Sequence, residues 1–142
     1  MLHLFFLVSL LTHKPNYCSC SPLPPIDEQQ YKEYNLIVKG RIANISLSSF
    51  ERTVDLSVGT YYKGRQNKGN IKIKTPRQEG ICGIVPKVGE EWLMFAYADK
   101  NGFRTERCTR TKSMNLKAWD HNKNEIIDDI KFLEAKLKTS SR

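Results

Sequence analysis

The chain has 142 residues, of which 23 are lysine or arginine and 15 aspartate or glutamate, for a net charge of +8. That length suits one domain around one core, and the basic surplus favours acidic partners without naming one. Three histidines are too few for a histidine-built metal centre, because His3 and His13 lie in the leader and leave only His121 downstream.

The leader comes first. Leu4 to Leu11 is an apolar run too short to span a bilayer, so residues 1–17 read as a signal peptide removed on export. The expected product, residues 18–142, is a single secreted domain, extracellular or periplasmic, with no membrane span. Pro15-Asn16-Tyr17 makes a poor lipoprotein box, so no lipid is expected on Cys18. Four cysteines in an exported domain read as two disulfides. A bridge between Cys18 and Cys20 would be strained at that spacing, which leaves each to reach one of Cys82 and Cys108. Zinc is the weaker reading, since neither remote cysteine belongs to a CxxC knuckle. Copper or thiol chemistry at Cys18 and Cys20 would require those thiols to be free.

Pro22-Leu23-Pro24-Pro25 keeps the next stretch extended, and Ile26 to Tyr34 has the polar composition of a short helix. β-Branched and apolar residues then alternate through Tyr34–Leu47, Thr53–Tyr62, Asn70–Thr75, Trp92–Ala98 and Phe103–Arg110. Turn chemistry fills each gap, and Asn101-Gly102 marks a hairpin. The count predicts a mainly β fold, a five-stranded OB-fold barrel with flanking N-terminal and C-terminal helices. The last element changes period. Ile126, Ile130, Leu133 and Leu137 form one stripe of a helix over about 122–138. Glu125, Asp128 and Asp129 lie near its start and Lys136 and Lys138 near its end, as the helix dipole favours. Asn122 or Asn124 can cap it. The stripe is expected to pack on the barrel.

Enzyme chemistry finds no support. His121 stands beside Asp120 in a polar stretch, serine and cysteine nucleophiles lack a base, and no glycine-rich phosphate loop occurs. The expectation is a binding protein with no cofactor of its own. Lys63, Arg65, Lys68, Lys72, Lys74 and Arg77 fall in a stretch without acidic residues, a candidate surface for a sulfated or other acidic polymer. Secretion argues against nucleic acid as the partner. Asn44-Ile45-Ser46 is a glycosylation sequon.

Taken together, Cys18-Ser19-Cys20-Ser21-Pro22, Val58 to Gly64, Cys82-Gly83, Glu91 to Tyr97, Cys108 and Trp119-Asp120 give a chain that resembles the tissue inhibitors of metalloproteinases and, more broadly, netrin-like modules. The resemblance spans essentially the whole mature chain and covers the inhibitors' N-terminal domain only. It implies bridges Cys18–Cys82 and Cys20–Cys108, and a monomer that inhibits a zinc metalloprotease. Cys18 would chelate the protease's zinc, the only metal involved. Ser19 would probe the specificity pocket, and Cys20, Ser21, Pro22, Gly80, Ile81, Cys82 and Gly83 would complete the contact surface. The other function class is a non-inhibitory netrin-type module that binds a polyanion or an extracellular protein through its basic face.

Overall fold

Asp27 caps the first helix: its carboxylate accepts the Gln30 N–H at 2.8 Å, and α1 (Glu28–Glu33) follows. The computed structural model describes residues 17–64, 69–117 and 122–141. Residues 1–16 of the leader, Arg65, Lys68, Trp119, Asp120 and His121 lie outside the described residues. After α1 come β1 (Leu36–Leu47), β2 (Glu51–Lys63), β3 (Ile71–Pro76), β4 (Glu91–Asp99), β5 (Gly102–Arg104), β6 (Lys112–Ser113) and α2 (Lys123–Ser140).

The strands close a barrel in the order β1-β2-β3-β5-β4, with β4 returning to β1. All these pairings are antiparallel except β3 with β5. This is the expected five-stranded OB-type barrel, with β6 added as a short sixth strand on β4. Long β1 serves two neighbours: its first half pairs with β4, and nearly its whole length pairs with β2. Register shifts between Ile37 and Asn44 bend it around the closure.

Side-chain alternation sorts the apolar residues into two cores. Leu36, Val38, Val54, Leu56, Ile71, Ile73, Met94 and Ala96 fill the barrel. Ile37, Leu93 and Phe95 point outward from the same strands and meet Tyr34, Tyr62 and Leu133 under the helices. β4 is thus buried on both faces, which is why Leu93 to Ala96 reads as an unbroken apolar run. On α2, Ile126 and Leu133 are buried, and Ile130 and Leu137 pack against the outer core, so the stripe covers the barrel.

Two details differ from expectation. Asn122 precedes α2, but its backbone is already helical and its side chain makes no capping hydrogen bond; a cap needs the extended conformation. The strand expected over Phe103–Arg110 stops at Arg104. Beyond it, threonine hydroxyls replace the ladder. Thr105 Oγ1 donates to the Phe95 carbonyl at 2.8 Å, Thr111 Oγ1 accepts the Phe95 N–H at 2.8 Å, and the two hydroxyls lie 2.7 Å apart. Phe95, paired in register with Ile37 of β1, is thus satisfied without a second strand neighbour, and residues 106–109 are released as a loop that carries Cys108. No helix among the described residues is long and apolar enough to cross a membrane.

Candidate functional site

The CxC segment lies at one end of the barrel, held by the loops before β4 and after β5. Disulfides join Cys18 to Cys82 and Cys20 to Cys108, with Cα–Cα distances of 5.0 and 5.1 Å. They close loops of 64 and 88 residues, each worth about 4–5 kcal/mol in the chain-entropy account. No cysteine is free. Such bridges persist in oxidising surroundings, which is compatible with an extracellular or periplasmic location.

The Cys82 loop is shaped by close backbone packing. A short 3₁₀ turn over Glu79–Ile81 ends at Cys82, whose φ of 66° is left-handed. This conformation costs a non-glycine residue about 1–2 kcal/mol. The Cys82 N–H donates to Glu79 O at 3.0 Å, and its carbonyl accepts the Arg107 N–H at 2.7 Å, tying the two cysteine loops together. Gly83 then passes under the Pro76 carbonyl, and a Cβ there would overlap that oxygen and lie 2.8 Å from Gln78 O. The Cys-Gly pair follows from this: cysteine to bridge, glycine because only hydrogen fits.

On this frame Ser19, Cys20, Ser21, Pro22, Gly80 and Ile81 are exposed, Cys18 and Cys82 are half-buried, and Gly83 is buried. The structure therefore brings Cys18–Pro22 beside Gly80–Gly83 as one projecting edge. Gly83 supports that edge from below and is not part of its surface.

Three contributions escaped the sequence reading. Arg110 is the first, with its side chain only 2% exposed. Its Nη1 donates to Pro24 O and Gln30 Oε1, both at 2.7 Å, and its Nε and Nη2 bond the buried Asp129 carboxylate at 2.6–3.1 Å. One guanidinium thereby anchors the N-terminal segment, α1 and α2. The only hint in the sequence was an aspartate on the apolar side of α2. The second is Phe50, 81% exposed at the β1–β2 turn. Its carbonyl accepts the Arg77 N–H at 2.9 Å, and adjoining Glu51 pairs with Pro76, the residue over Gly83. An exposed ring thus stands at the same end as the cysteine edge. The third is a groove of about 470 Å³ beside Gly83, lined by Glu79, Ile84, Trp92, Arg107 and Lys112 among others.

The basic residues are dispersed among partners. Lys63 Nζ donates to Tyr31 O at 2.7 Å and lies 4.8 Å from that ring's centroid; burial lowers its pKa, with Glu28 opposing. Lys72 pairs with Asp55 at 3.8 Å and Lys74 with Glu51 at 3.5 Å. Arg77 donates to Ser48 O at 2.9 Å. Asn44 of the sequon is exposed on β1.

No protein-family model and no curated protein matches the chain.

Proposed function

We propose that this protein is a secreted inhibitor of zinc metalloproteases that acts through Cys18 once the chain is cut before that residue. The supporting observation is the disulfide-held edge, in which an exposed Ser19-Cys20-Ser21-Pro22 runs beside exposed Gly80-Ile81. A freed Cys18 offers an α-amine and its own carbonyl oxygen, which close a five-membered chelate on a metal. Such an amine titrates near 7.7–8.0 and deprotonates readily at neutral pH. Seated on a catalytic zinc, the chelate displaces the water that serves as nucleophile. The two bridges and the Arg110 contact to Pro24 hold the segment in place, which lowers the ordering cost of binding. Ser19 would then enter the protease's specificity pocket, with Ile81 and Pro22 flanking it. The likeness of the CxCxP and Cys-Gly motifs to the tissue inhibitors of metalloproteinases points the same way.

The polyanion reading draws less support, because Lys72 and Lys74 face Asp55 and Glu51 and part of their field is already neutralised.

The test compares protein beginning at Cys18 with protein carrying one added alanine before it, against a panel of zinc endopeptidases. The extension turns the amine into an amide, so inhibition is expected to vanish while thermal unfolding is unchanged. Equal inhibition by both forms would overturn the chelate, and inhibition by neither would overturn the function.

A further inference from the structure

All four cysteine sulfurs lie within 4.8 Å of one another. Across the two bridges, Cys18 Sγ is 3.8 Å from both Cys20 Sγ and Cys108 Sγ, and Cys82 Sγ is 3.7 Å from Cys108 Sγ. A tetrahedral zinc ion with four thiolates at about 2.3 Å has sulfur–sulfur edges of about 3.8 Å. Three of the six edges of the sulfur cluster therefore already have the length of a four-thiolate zinc site; the two bonded pairs must move apart, and the sixth edge, Cys20 to Cys82, lies within 4.8 Å.

We propose that reduction of both disulfides converts this cluster into a four-thiolate site for one thiophilic d¹⁰ cation, with zinc as the probe. Hydrogen bonds other than the bridges keep the ligands together. Cys82 stays bound to Glu79 and Arg107 through its backbone, the Thr105–Thr109–Thr111 hydroxyls hold the loop of Cys108, and Arg110 retains Pro24. Cys20 is exposed and the other three cysteines half-buried, so an ion has a path in. The site would fix the N-terminal segment by coordination where the oxidised protein fixes it covalently, and it is independent of any inhibitory role.

The electron balance is simple. A water-soluble phosphine gives each disulfide two electrons and becomes the phosphine oxide with oxygen taken from water. Two phosphines thus yield four thiols. Zinc binding then displaces the four thiol protons with no change in its oxidation state.

The full chain, reduced under anaerobic conditions and freed of phosphine, is titrated with cobalt(II) and then zinc while circular dichroism follows the fold. The expected result is thiolate-to-cobalt charge transfer with a tetrahedral d–d spectrum that saturates at one equivalent and is displaced by one equivalent of zinc. The oxidised protein should give no such signal, and Cys20→Ser should bind at least roughly 100-fold more weakly, because losing a thiolate bound directly to the metal costs more than losing a group that only orients a ligand. If the reduced chain unfolds without metal, zinc should restore its β spectrum. Absence of a one-to-one complex, failure of zinc to restore the fold, or an unchanged cobalt spectrum in Cys20→Ser would each overturn the proposal. No protease enters the experiment, so its outcome is separate from that of the inhibition test.

Discussion

Arg110 and Asp129 face each other in the interior with side chains 2% and 0% exposed, joined at 2.6 Å. Removing one partner of such a pair strands the other's charge away from water, at a cost of about 3–5 kcal/mol. Asp129→Ala should lower stability by that amount. The double replacement Arg110→Met with Asp129→Leu should recover much of the loss, less the contacts to Pro24 and Gln30. Urea midpoints of each single variant and of the double variant provide the comparison, and a double loss equal to the sum of the single losses would show that the pair is not coupled.

Gly83 and Gly80 form a matched test of the cysteine loop. An added Cβ at Gly83 overlaps the Pro76 carbonyl, whereas nothing lies within 4 Å of one at Gly80. Gly83→Ala should cost about 3 kcal/mol or more, since the obstacle is backbone. Gly80→Ala should stay within about 0.5 kcal/mol of the parent. Thermal unfolding of the two variants distinguishes them.

Exposed Ser19 is expected to set selectivity without affecting the fold. Ser19→Leu should shift the ratio of inhibition between deep-pocket and shallow-pocket zinc proteases by about 10–200-fold, with an unchanged melting temperature. A uniform change across the panel would place Ser19 outside the pocket.

Stability should fall at both ends of the pH scale for identifiable reasons. Hydrogen bonding from Arg104, aided by Lys74, lowers the Glu51 pKa below its usual 4.5. The stabilisation is therefore present above about pH 4.5 and is lost as pH falls through the depressed value. Burial raises the Tyr34 and Tyr62 pKa values above their usual 10.0, with Tyr97 adding to the effect at Tyr34 and Glu134 at Tyr62. Their contribution is whole below pH 10.0 and is lost above it, as the unfolded chain ionises first. Melting temperatures across pH should show both limbs, and Glu51→Gln should flatten the acid one.

Charge reversal of Lys72 and Lys74 tests the basic face. With Asp55 and Glu51 already beside them, retention on a sulfated polymer should depend only shallowly on salt. The double reversal should leave inhibition intact. A steep salt slope that the reversal abolishes would restore the polyanion site.

The barrel was legible because strand alternation and turn chemistry are local signals, and β1 to β4 fall close to where the alternation placed them. The cysteine edge could be named from its motifs, but its support could not. Arg110 and Asp129 are 19 residues apart and Arg110 and Pro24 are 86 apart, distances over which residue pattern carries no pairing information. The overextended fifth strand has a related cause. Thr105, Thr109 and Thr111 have good strand propensity, yet their hydroxyls bond Phe95 and one another, and that choice depends on a neighbour distant in sequence.

The bridges also impose an order in time. Cys18 and Cys20 leave the ribosome first, but their partners follow 64 and 88 residues later. Until then, the only partner available to either thiol within the chain is the other, across Ser19. Correct pairing must therefore wait for most of the barrel to be synthesised and folded, since it is the barrel that carries Cys82 and Cys108 to the chain's beginning. A newly made molecule thus depends on a thiol–disulfide exchange catalyst, or on enough delay before oxidation, more than its modest size suggests.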